Sequence, residues 1–232
     1  MKKKDLVFIL ISLGVLSLFF IIEPLNNWFM DWSKAKDGRY FILAFLKFAV
    51  LATLGESIGL RISKGVYNEK GFGLLPRAIV WGVLGIGISV AMGIFASGAY
   101  GFLNYFSLNL SPATLSQEPI LIRLIYAFTV SVFMNIIFAP VFMTLHKVTD
   151  THILKNRGTI AGLFTPIEFG NIFTNLNWNV QWNFVFKKTI PFFWIPAHTI
   201  TFMLPKEFQV LFAALLGVAL GVILSFANLK KK

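Results

Sequence analysis

Five long apolar runs decide what this chain can fold into: residues 5–25, 40–61, 77–104, 120–146 and 207–228. A helix that crosses a bilayer needs about 20 apolar residues, and each run meets that length. A sixth run, 189–205, is shorter and holds Pro191, Pro196 and Pro205. Prolines are tolerated in membrane helices where neighbours satisfy the freed carbonyls, so this run reads as a kinked or partly unwound span. Composition agrees. The chain is 56% hydrophobic and 13% charged, with mean hydropathy +0.74, whereas a soluble domain carries roughly 25% charged residues. The fold class expected is all-α: a polytopic transmembrane helix bundle of about six spans.

Basic residues orient the spans. With the N-terminus inside, fifteen of the 21 basic residues fall on the inner side and four on the outer side, while Lys47 and Arg123 lie within spans. That asymmetry follows the positive-inside rule and places both termini on the cytoplasmic side. Dropping or merging a span would put basic loops on both faces. The net charge of +11 therefore records orientation; with no basic helix and no aromatic platform, no nucleic-acid partner is expected. Lys2, Lys3 and Lys4 followed by an apolar run resemble the start of a signal peptide, but the run is long and lacks a small-residue cleavage site, so an uncleaved first span is expected. Trp28, Trp32 and Tyr40 flank the first outer loop, Tyr100 and Tyr105 fall at the outer end of the third span, and Trp178 and Trp182 on the inner side; Trp and Tyr prefer the headgroup level. Residues 151–188 are too polar to span and too aromatic for a free linker, so they read as an interfacial segment of a single integral membrane domain, 1–232.

Small residues at every fourth position allow helices to approach closely in lipid. Such rows are Gly55 and Gly59; Gly85, Ser89, Gly93 and Ser97; Ala127, Ser131, Asn135 and Ala139; and Ala213, Gly217, Gly221 and Ser225. Their first meaning is packing.

Ionisable and polar groups at membrane depth are the candidates for function. Glu56 borders the small-residue face of its span. Lys47 lies nine residues earlier, nearly opposite, so the two cannot pair; Arg123 is the other ion within a span. Lys47 and Glu56 could equally snorkel to headgroups. His198 shares a face with Thr201, Phe202 and Pro205, one turn after Trp194, and would either bond a carbonyl freed by proline or face a pore. Asn135 is expected to make an interhelical hydrogen bond, and Pro140 to kink its helix. The pore or polar-cavity candidates are thus Glu56, Lys47, Arg123, Asn135, His198 and Thr201. With no cysteine and no ligand spacing among His146, His152 and His198, neither a metal nor another cofactor is expected. No nucleophile–base pair or paired carboxylates stand out, so no enzyme is expected.

Two stretches, FAPVFMTLHKVTD and FFWIPAHTITFMLPKEFQVLFAALLGVALGVILSF, resemble the Mpv-seventeen/peroxisomal membrane protein family of small integral membrane proteins. The resemblance rests on Pro140 and Asp150 in the first, and on Trp194, Pro196, Phe202, Pro205 and Ser225 in the second. His146 and Leu145 occupy the family's tyrosine and tryptophan positions, Ala139 its glycine, and His198 and Thr201 its glutamine and asparagine. In LATLGESIGLRI, Gly55 and Glu56 resemble the family's Gly-Asp pair. The resemblance implies a membrane channel or metabolite-handling protein without catalytic residues.

The expected role is a channel or small-solute permeation protein in the cell (inner) membrane, or in an organelle membrane if the source is eukaryotic. Its partners are the lipid bilayer and small ions or metabolites. The alternatives are a non-transporting scaffold or complex subunit, with a homo-oligomer or a membrane partner, and the membrane-embedded binding subunit of a vitamin-type importer.

Overall fold

A computed structural model describes residues 14, 17–18 and 21–229, with residues 220 and 222–229 described by backbone alone. Among the described residues all regular structure is helical. The chain divides into two compact units, Met1–Leu43 and Ala44–Lys232.

In the first unit, α1 (Glu23–Lys34) starts with Glu23 and Pro24 and ends on Lys34, an acid-to-base order that complements the helix dipole. Asp37 then caps the next helix. Its carboxylate accepts from the Arg39 backbone N–H at 2.9 Å and from the Arg39 side chain at 3.1 Å. The Arg39 side-chain bond, then the backbone bond, hold the Asp37 carboxyl below its ordinary value.

The remaining long helices are α2 (Gly38–Lys64), α3 (Leu74–Asn104), α4 (Ile120–Lys155), α5 (178–203) and α6 (Lys206–Leu229). Among the described residues, α2, α3 and α4 are long and apolar enough to cross a membrane. The exposures match that setting. Val50, Ile94 and Val141 are each more than 60% exposed, while Ser131, Asn135 and Thr201 are at most 1% exposed. Polar side chains held inside while large apolar ones face outward are compatible with lipid as the outer solvent. Run 5–25 falls largely outside the described residues, and run 207–228 coincides with α6.

Two stretches within the long helices are wound as π-helix, and proline accounts for the first. Pro140 lacks the N–H that an α-helix would use and clashes with the preceding turn. A turn of π-helix, Met134–Phe138, lies just before it, and the helix runs on through Pro140 to Lys155. The second lies in α5, which joins Trp178–Val180, a π-helix over Gln181–Trp194 and an α-helix over Ile195–Met203. This element begins well before the expected boundary at 189, so the last part of segment 151–188 belongs to the same helix.

Close approach follows small residues, with a correction. A side chain on Gly55 would lie 2.8 Å from Val218 Cα, and one on Gly221 would lie 2.9 Å from the Gly55 carbonyl oxygen. Backbone thus packs on backbone between α2 and α6. Gly85 and Ser89 of α3 are also packed, against Phe48 and within the core respectively. Gly93 and Ser97 are not: Gly93 faces open space and Ser97 is exposed. Four-residue steps drift about 40° each around an α-helix, so a long row leaves the interface. The buried face of α3 instead follows Gly82, Gly85, Ser89, Met92, Ala99 and Leu103.

Before α3, Gly73 has φ 75°, and a side chain there would lie 2.8 Å from the Cα of Gly158, whose φ is 64°. Glycine allows both the left-handed backbone and the contact. The entrance to α3 is thereby tied to the turn after α4.

Candidate functional site

Rows at four-residue spacing on three helices converge within the second unit. From α2 come Phe48, Ala52 and Glu56; from α4 Phe138, Phe142, His146 and Asp150; from α6 Ala213, Gly217 and Gly221. A four-residue step keeps side chains on one face. Helix α3 adds Arg77, Trp81 and Ile88.

Arg77 organises the charged end. One guanidinium nitrogen pairs with Glu56 and another with Asp150, and Nε donates to the Phe72 carbonyl at 2.8 Å. The guanidinium also lies 4.5 Å from the centre of the Phe72 ring. Glu56 further accepts from Trp81 Nε1 at 2.9 Å and meets His146 Nε2 at 3.1 Å. His146 packs against Trp81 with ring centres 4.3 Å apart and the planes tilted by 38°, and Asp150 also pairs with Lys147 at 3.1 Å. Charges removed from water require paired, hydrogen-bonded neighbours of this kind.

Beside this cluster is a cavity of about 350 Å³ bordered by Glu56, Trp81 and His146. Its walls are largely aromatic and aliphatic, with Phe48, Phe138, Phe142, Met143, Phe184 and Val185. The polar groups elsewhere on the wall are Asn135, Gln181, Thr189, Trp194 and His198, with Lys147 at the edge. Asn135 Nδ2 donates to the Ser131 carbonyl at 2.8 Å and meets His198 Nδ1 at 3.0 Å. The amide can only donate there, which assigns the imidazole proton to Nε2. Ser131 Oγ donates to the Ile195 carbonyl at 2.7 Å, joining α4 to α5 at the Pro196 break. Two donors on the wall, Gln181 Nε2 and Trp194 Nε1, are buried and have no hydrogen-bond partner among the described residues.

The π winding of α5 makes this wall. Its cavity-lining residues are Gln181, Phe184, Val185, Thr189, Trp194 and His198. In an α-helix of 3.6 residues per turn, Trp194 would point roughly 140° away from Gln181. The i→i+5 bonds of a π-helix wind more slowly and keep them on one side. Such turns are mostly short and frequent at functional sites; this one runs 14 residues.

The sequence candidates therefore divide. Glu56, Asn135 and His198 border the cavity. Thr201 is fully buried and bonds the Ala197 carbonyl at 3.0 Å, away from the wall. Lys47 is buried and does not line the cavity. Arg123 is half-buried near the start of α4 and joins no ion pair among the described residues; the partner of Glu56 is Arg77. Of the residues carrying the family resemblance, Pro140 follows the π turn, Asp150 pairs with Arg77, and Trp194 lines the cavity. Pro196 opens the final α-helical part of α5, Phe202 is buried, and Pro205 separates α5 from α6. The Ser225 side chain lies outside the described residues. Arg77, Trp81 and Gln181 were not singled out by the sequence. The pairs Arg77/Trp81 and His146/Asp150, each one helical turn apart, are the signal that could have marked the charged cluster.

No family model matches the chain, and neither a curated protein nor a solved structure does.

Proposed function

We propose that this chain is a multi-pass membrane protein that binds a small solute inside its helix bundle, as the binding step of permeation or import. The observation that carries the reading is the cavity of about 350 Å³. It falls within the usual range of ligand sites, and its apolar wall with a few polar groups is their usual make-up. The resemblance to the Mpv-seventeen/peroxisomal membrane protein family points the same way, toward small-solute handling.

The test is thermal. The full chain in nanodiscs is screened against a panel of small solutes, alongside Val185→Trp, which fills the cavity from the half-buried side of α5. A ligand at about 100 times its Kd adds about 2.7 kcal/mol to stability. At least one solute is expected to raise the melting temperature by several degrees, and Val185→Trp to lose that shift while its unliganded melting point stays close to wild type. A flat panel, or a shift equal in the variant, would sink the proposal. Flux of the same solute in proteoliposomes holding this chain alone separates the two versions: a permeation protein conducts, whereas the binding subunit of an importer only binds.

The proposed topology is six spans with both termini on the cytoplasmic side of the cell membrane. The chain has no cysteine, so single cysteines report without background. Ser116→Cys is expected to react with an impermeant maleimide in intact cells, and Asn68→Cys only after lysis. The reverse pattern would invert the orientation, and labelling of both from outside would remove a span.

A further inference from the structure

We infer that the ligand of this cavity is a neutral ring compound carrying a carbonyl oxygen, an inference that rests on the binding role proposed above. Three properties of the wall select it. The first is donor excess. Trp194 Nε1 can only donate, and Gln181 offers its Nε2; both are buried without a partner among the described residues, and Gln181 is 7% exposed. His198 adds an Nε2–H, since its Nδ1 is taken by Asn135. Buried donors are normally satisfied, so the missing component is an acceptor.

The second is charge. Glu56 is paired with Arg77, and Lys147 with Asp150. Among the described residues no lining lysine or arginine is left without an acidic partner for an anionic ligand, and burying an uncompensated carboxylate is costly. A carbonyl oxygen accepts from neutral N–H groups without that cost. The third is shape. Phe48, Phe138, Phe142 and Phe184 line the cavity, and aromatic side chains favour offset or edge-on contact with another ring.

The probe set is 1-tetralone, its hydrocarbon counterpart tetralin, and the anion 1-naphthoate. Each is measured by equilibrium dialysis against the full chain in nanodiscs, with empty nanodiscs as the reference for partitioning. Tetralone is expected to bind above that reference and about tenfold more tightly than tetralin, with naphthoate weakest. Gln181→Leu should weaken tetralone about five- to tenfold and leave tetralin unchanged. Trp194→Phe, which keeps a ring and removes the N–H, should act in the same direction, so the result does not hang on one variant. Tetralin binding as well as tetralone, naphthoate binding best, or tetralone indifferent to both variants overturns the inference. If all three probes fail while another solute gives a Val185→Trp-sensitive thermal shift, the ligand class is wrong and the binding role survives. If nothing binds at all, both fall.

Discussion

Arg77→Met is expected to destabilise the protein by about 3–5 kcal/mol, the cost of breaking a buried ion pair from one side. Arg77 is the shared partner of Glu56 and Asp150, and its side chain is 7% exposed against 19% and 14% for the two acids. Methionine replaces the volume and removes the charge. Two carboxylates then face each other with only His146, Trp81 and Lys147 to answer them. The Phe72 carbonyl also loses its donor. The deficit is electrostatic, so neutralising the acids should return most of it: the triple variant Arg77→Met/Glu56→Gln/Asp150→Asn is expected to melt well above the single variant. Melting in mild detergent, with denaturant titration for the free energies, reads both. A single variant that melts with wild type, or a triple variant no better than the single one, would refute this account of the cluster.

Gly55→Val is the second large effect. The first carbon of any side chain at Gly55 would meet Val218 Cα at 2.8 Å and the Gly217 carbonyl oxygen at 3.2 Å. These are backbone atoms of α6, so no rotamer change relieves the contact, and the two helices must separate. Overpacking of a tight core costs about 1–3 kcal/mol, and this contact lacks the compliance that keeps the lower values low. Gly87→Val on α3 is the matched control, because a side chain there meets nothing within 4 Å. Loss of thermal stability at Gly55 with near-neutrality at Gly87 is the expected contrast. Equal effects would mean that glycine's backbone freedom, not helix contact, sets the cost. The separation also moves Ala213, Gly217 and Gly221 off the cavity wall, so Gly55→Val should weaken ligand binding too.

The membrane-compatible helices were legible because their signal is local: an apolar run of sufficient length is a property of neighbouring residues. Asn135 and His198 were legible one at a time for the same reason, as polar groups set in apolar runs. Their meeting was not, because it depends on how α4 and α5 dock and on the π turn Met134–Phe138 that carries Asn135. Glu56 stood out, but its partner did not. Arg77 reads as the edge of a basic loop when the span is started at 77, whereas α3 begins at Leu74 and draws Arg77 into the bundle. The wall of α5 was least visible. A helical reading assumes 3.6 residues per turn, and on that ruler Gln181, Val185 and Thr189 share a face while Trp194 falls well off it. Trp194 joins that face only at the slower winding, and the polar and aromatic residues before 189 looked like a segment lying on the membrane surface.

That slower winding ties length to direction. A π-helix packs more residues into each turn than an α-helix, so 178–203 is longer in sequence than in space. Were Gln181–Trp194 to rewind as an α-helix, the element would lengthen, and Gln181 would turn to another side of its axis in the same motion. Where the end of α5 reaches and what Gln181 points at are therefore one variable: any change in the span of this helix is also a change in which donors the cavity presents.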